Sequence, residues 1–166
     1  CEAGVRALRK YYPSVKSLRD VTVEMLEKHR TEFEGKVYQR CLYVVVEIMR
    51  VQQASHDLKT GNLISFGEKM FETHEGLSQL YEVSCKELDF LVVEAKKFEG
   101  VLGARMMGGG FGGCTINLVE DSKADKFISH MASRYKTQFN IDMAAYPVNV
   151  VDGAGLVKEE ELALWT

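Results

Sequence analysis

Val101-Leu102-Gly103-Ala104-Arg105-Met106-Met107-Gly108-Gly109-Gly110-Phe111-Gly112-Gly113-Cys114-Thr115-Ile116-Asn117-Leu118-Val119 is the stretch on which the reading of this chain turns. Seven of the chain's fourteen glycines fall between Gly100 and Gly113. Glycine admits positive φ and lets a ligand approach the main chain closely. A run of N–H groups without side chains makes a concave nest for an anion such as phosphate. Cys114 to Val119 alternates like a strand, and Ala104–Met107 reads as a short strand leading in. The expected unit is a strand–glycine loop–strand hairpin, with the chemistry around Gly108, Gly109, Gly110, Phe111, Gly112 and Gly113.

Other glycine-loop chemistries fit less well. Gly108-x-Gly110-x-x-Gly113 formally matches the dinucleotide fingerprint, but that motif needs a helix immediately after it and an acidic residue some way on. No Gly-Lys-Ser/Thr follows, which removes the P-loop. The protein-kinase glycine loop joins two strands over nucleotide phosphates, yet no His-Arg-Asp or Asp-Phe-Gly is present. A plain turn needs one or two glycines, whereas each further one costs about 0.5–1 kcal/mol of folding entropy. Phe111 reads as a packing anchor for the loop rather than a base-stacking ring. Arg105, the one charged residue from Gly100 to Val119, could meet either a phosphate or a neighbouring carboxylate.

At 166 residues the chain suits one domain with its own core. A net charge of −3 and scattered Lys and Arg argue against nucleic acid and a membrane surface. No apolar run is long enough to span a bilayer. Four dispersed cysteines (Cys1, Cys41, Cys85, Cys114) and four dispersed histidines suggest reduced thiols, a cytoplasmic location and no metal site. The sequence opens inside an amphipathic helix without a cap, which suggests a piece of a longer chain.

The first half reads as helical. Val37, Cys41, Val44, Val45, Ile48 and Val51 stripe a helix from about Glu34 to Ala54. Asn62 is an N-cap for a helix carrying Leu63, Phe66, Met70, Leu77 and Leu80. Ser84 and Glu87 form a capping-box pattern before a helix that buries Leu88, Leu91, Val92, Ala95 and Phe98, with Gly100 at C′. Ser122 and Asp125 resemble a further cap, before a helix placing Ala124, Phe127, Ile128, Met131 and Tyr135 on one face. Ala144–Val151 reads as a last strand, at an edge because Pro147 has no N–H to give. The fold class is α+β, an antiparallel sheet covered by helices. Glu47, His56 and His74 read as surface or satisfied core, Glu24, Glu27, Glu32 and Glu34 as a solvated face, and Met106–Met107 as core under the loop.

Gly103 to Thr115 resembles the third conserved motif of the GHMP small-molecule kinases, in the form typical of the galactokinase branch. Val15 to Thr22, the Val44-Val45-x-Glu47 helix and Gly61-Asn62-Leu63-x-x-Phe66-Gly67 carry the same likeness. So do Tyr81-Glu82-Val83-Ser84-Cys85-x-Glu87-Leu88-Asp89 and Gly153-Ala154-Gly155. The resemblance implies a ferredoxin-like C-terminal domain over residues 1–166. Its enzyme transfers the γ-phosphoryl group of Mg-ATP to the C1 hydroxyl of galactose. In that family the catalytic aspartate, its partner arginine, the sugar-binding residues and the serine-rich phosphate loop lie in an N-terminal domain. No catalytic or metal-ligating residue therefore maps here, and the chain alone is expected to be inactive. The transferable part is Gly108 to Gly113 at the phosphate end, with Arg105 a possible phosphate contact. Met107 and Ala104 depart from the family's usual Thr and Ser, and Tyr43 stands where His is common. A galactose- and ATP-binding sensor without turnover, another GHMP kinase, and a free-standing ferredoxin-like interaction domain are the alternatives. An apolar face near the loop, normally covered by the N-terminal domain, is a further expectation.

Overall fold

Among the described residues, helical spacing of apolar residues gives six α-helices, and the alternating residues around the glycines give two strands. The computed structural model describes residues 1–151, 153 and 155. In order these elements are α1 (Glu2–Arg9), α2 (Val23–Lys28), α3 (Val37–Thr60), α4 (Leu63–Gly76), α5 (Lys86–Lys97), β1 (Val101–Met107), β2 (Cys114–Val119) and α6 (Ala124–Phe139). A π turn, Leu77–Tyr81, continues α4 and ends at Glu82, whose φ of +61° reverses the chain. The α+β class stands.

Two apolar clusters organise the packing. Val5, Leu8, Val15, Leu18, Val21, Leu26, Cys41 and Val45 close the first around α3. Leu91, Val92, Ala95, Ala104, Phe127 and Met131 close the second between α5, β1 and α6. Between them α4 ties α3 to the sheet. The Lys69 ammonium lies 2.7 Å from the Asp57 carboxylate, and Thr73 Oγ1 donates to Glu47 Oε1 at 2.7 Å. Glu47 is thus satisfied as expected, by a partner that lies 26 residues along the chain.

β1 and β2 pair antiparallel, with a bulge between Val101 and Gly103. β1 is the covered strand: Gly103, Ala104 and Met106 are buried, while no residue of β2 is. The covering depends on two glycines. A Cβ on Gly67 would stand 2.0 Å from the Leu102 carbonyl oxygen, and one on Gly103 would stand 2.5 Å from Gly67 Cα. Helix and strand backbones touch there, which only residues without side chains permit.

Several sequence expectations need correction. Ala144–Val151 forms no strand: Tyr146, Val148 and Val150 stand in solvent, with no edge paired to them. Alternation sets which face a side chain would take, but a strand also needs a neighbour to hydrogen-bond. α3 runs past Ala54 to Thr60, where Gly61 (φ +72°) closes it with Asn62 N–H on the Asp57 carbonyl, a Schellman closure. The expected caps at Ser84 and Ser122 are not made; Cys85 and Lys123 hold those N-cap positions without side-chain bonds. Gly100, with φ of +98°, lies past the C-cap Phe98, in the turn into β1. Met107 is exposed rather than core, because strand alternation turns it away from the side that buries Met106. Asn62 does cap α4, its Oδ1 accepting from Ser65 N–H. Ala154, in the closing glycine motif, lies outside the described residues.

Candidate functional site

The loop Gly108–Gly113 joins β1 to β2 at the closed end of the hairpin, beyond the Met107–Cys114 pair. Its backbone is left-handed almost throughout: φ is +87° at Gly108, +88° at Gly110, +59° at Phe111, +143° at Gly112 and +100° at Gly113. Side chains resist that region, so conformation alone calls for glycine at most of these positions. Gly109 is different. Its φ is not positive, and a Cβ built there meets nothing within 4 Å. Neither strain nor packing among the described residues requires glycine at 109, so its value lies in leaving the backbone open.

One main-chain contact pins the loop among the described residues. Phe111 N–H donates to the Val83 carbonyl at 2.7 Å, and Gly110 lies so close that a Cβ would fall 2.1 Å from the same oxygen. The N–H groups of the five loop glycines make no backbone hydrogen bond among the described residues. The Phe111 ring is largely exposed, so the expectation of a packing anchor is corrected: the main chain anchors the loop and the ring faces outward. With Met107 also exposed, the surface here is not uniformly polar.

Val83 is itself held. Glu82 is paired with Lys36 and, at 3.3 Å, with Arg40, which draws its carboxyl below the usual carboxylate range, the Lys36 contact contributing most. On the other side Ser84 Oγ donates to Asp89 Oδ1 at 2.6 Å. Arg105 lies on β1 before the loop and donates to the Met106 carbonyl at 3.1 Å. It pairs with no carboxylate among the described residues, and its charge bears on Tyr43. Tyr43 itself packs against Gly76 and the Tyr81 ring.

Sequence reading gave His74 no partner, and the structure supplies two. The ring is buried and accepts Met106 N–H at Nδ1, 3.1 Å away. A backbone amide can only donate, so the ring proton sits on Nε2, which lies 3.1 Å from Asp89 Oδ1. Burial pulls the His74 pKa below 6.5, with Asp89 opposing in part. The folded chain therefore binds this proton less readily than the unfolded one. Stability is complete above the unfolded value of 6.5 and falls as pH drops from there towards the folded value. Thermal melts at about pH 7.5 and about pH 5.5 should show a larger drop in the wild type than in His74→Gln. Equal drops would remove His74 from the linkage. No pattern in the sequence signals these bonds, since the partners come from α5 and from the edge of β1.

Among the described residues no helix is long and apolar enough to cross a membrane. Nor is there a cluster of three or more His, Cys, Asp or Glu arranged to hold a metal.

Residues 54–137 match the family described as GHMP kinases C terminal, so the chain belongs to the GHMP kinases and carries their C-terminal domain. Its similar relatives are galactokinases. That of Roseiflexus sp. (strain RS-1) is 37% identical over 159 residues, covering 96% of this chain and 41% of the relative. That of Homo sapiens is 44% identical over 135 residues, covering 81% and 33%. The crystal structure of Lactococcus lactis galactokinase complexed with galactose superposes with a TM-score of 0.80 at 30% identity, covering 85% of this chain and 36% of that one. The chain spans between a third and about two fifths of the length of the curated relatives it matches.

Proposed function

We propose that this chain is the C-terminal part of a galactokinase, which phosphorylates galactose at C1 with Mg-ATP, and that Gly108–Gly113 faces the phosphates. The observation that carries this reading is the open glycine backbone: amides without hydrogen-bond partners, and no obstruction where Cβ atoms would stand at Gly108, Gly109 and Gly112. Such a cradle fits a phosphate, which backbone N–H groups bind without a cationic side chain. ATP, when bound, supplies the phosphoryl group. The loop's part is to orient the phosphates and to stabilise charge that builds on them, because phosphoryl transfer rests mainly on positioning and electrostatics. Arg105 stands as a further phosphate contact in this reading.

In this reading Mg²⁺, the catalytic base and most galactose contacts belong to an N-terminal domain. That domain is the chain's partner, covering the exposed Met107 and Phe111 beside the loop. The fragment alone is inactive, residues 1–166 form one domain, and the four free cysteines accord with a cytoplasmic location. Neither nucleic acid nor membrane is a partner.

The test is sugar-dependent ADP release from Mg-ATP by the intact parent protein, with this chain alone as control. Release that requires galactose, absent from the fragment, is expected. Binding of galactose and ATP without release would identify a sensor instead, and release with another sugar or alcohol a different GHMP kinase.

A further inference from the structure

The Tyr81-Glu82-Val83-Ser84-Cys85 block and the buried His74 lie outside the loop, and the chemistry proposed above gives them no part. Yet they meet at one carboxylate. His74 Nε2–H and Ser84 Oγ–H both reach Asp89 Oδ1, at 3.1 and 2.6 Å, and Ser78 Oγ donates to Oδ2 at 3.1 Å. From this carboxylate two paths run to the loop. Through His74 Nδ1 one path takes the N–H of Met106, the residue of β1 that stands two positions before Gly108. That N–H points away from β2, so without His74 it would be a buried donor lacking a partner. The other path runs through Ser84 to the adjacent Val83, whose carbonyl holds Phe111 N–H at 2.7 Å.

We infer that His74, Asp89 and Ser84 act as one positioning unit that sets where the glycine loop stands, fixing its entry at Met106 and its crest at Phe111 from a single carboxylate. The inference rests on the reading of the loop as phosphate-facing. Five glycines in six residues give this segment wide backbone freedom, and a site that works by placing amides needs that freedom removed. The two pins do so without occupying the glycine N–H groups. The unit joins α4 at His74, the segment after the π turn at Ser84 and α5 at Asp89 to β1 at Met106, so the loop moves with the packed body of the domain. None of its side chains has to touch substrate.

The experiment uses the intact parent protein carrying Ser84→Ala, Asp89→Ala or Asp89→Asn. Galactose-dependent ADP release is measured beside hydrogen exchange of peptides covering residues 101–119. With its oxygen at the Oδ1 position Asn still accepts from His74 and Ser84, and its amide donates to Ser78 Oγ once that hydroxyl turns, whereas Ala makes none of these bonds. Ser84→Ala removes one arm only and guards against a variant that fails to fold. Expected are a fall in turnover of about tenfold for Ser84→Ala and Asp89→Ala, a galactose KM within about twofold, and recovery of most of the loss in Asp89→Asn. Exchange should quicken in residues 101–119 and not elsewhere.

Unchanged turnover in both Ala variants, or losses that follow a general rise in exchange across all helices, would overturn the positioning role. Were the wild-type parent to release no ADP with galactose, the functional reading would fall instead. Exchange alone would then decide: local quickening in Ser84→Ala upholds the positioning unit, and its absence ends it.

Discussion

Gly110→Ala in the intact parent protein should lower kcat/KM for ATP by about a hundredfold, because it unseats the glycine loop from its one main-chain anchor. The added Cβ would stand 2.1 Å from the Val83 carbonyl oxygen and 3.0 Å from Met106 Cε, at a residue with φ of +88°. Methionine can swing away, but the carbonyl belongs to a backbone held through Glu82 and Ser84. The loop must therefore lift, breaking the Phe111–Val83 hydrogen bond and displacing the amides. Gly110→Asp would confound this collision with its charge, so it does not isolate electrostatics. Gly109→Ala is the cleaner companion. Nothing stands within 4 Å of its Cβ, so its melting temperature should match the wild type while ATP KM rises about tenfold. Steady-state kinetics at saturating galactose check both, and undiminished ATP use by Gly110→Ala would remove the loop from the phosphate site.

The second large effect is on stability. Gly67→Ala should destabilise the fold by about 2–3 kcal/mol, although alanine in a helix interior normally gains about 1 kcal/mol over glycine. Overpacking wins because the new Cβ would meet the Leu102 carbonyl oxygen at 2.0 Å and its carbon at 2.4 Å, both backbone atoms of the buried strand. Gly103→Ala strains the same contact from the other side. The double variant should therefore cost less than the sum of the two, as expected for residues sharing one interface. Urea unfolding of the intact protein reads this as a lower midpoint at unchanged slope. A midpoint equal to or above that of the wild type would mean that α4 and β1 do not meet at these glycines.

Much of this molecule is legible in local chemistry. Stripes at helical spacing mark α3, α4, α5 and α6, Asn62 caps α4 as its side chain predicts, and alternation marks β2 to its ends. These features depend on near neighbours in the chain, so the sequence alone carries them. The glycine loop is legible too, since five glycines in six residues mark a backbone that side chains would not tolerate, as the positive φ at four of them bears out. The capping pattern at Ser84 misleads because a local pattern does not exclude a competing partner, and Ser84 bonds Asp89 instead; Ser122 is taken up inside a 3-10 turn, Asp121–Lys123, that precedes α6. Alternation at Ala144–Val151 misleads because a strand is a relation between two segments.

What the sequence by itself determined is the α+β class and the hairpin with its glycine loop. Which glycine serves which purpose was decided by tertiary structure alone. Gly67 and Gly103 yield to backbone contact, Gly110 yields to the Val83 carbonyl, and Gly109 stays open. The same holds for His74, whose two bonds reach 15 and 32 residues along the chain. Such contacts exist only once helices and strand are packed, because the distance between two backbones is a property of the fold and not of either segment.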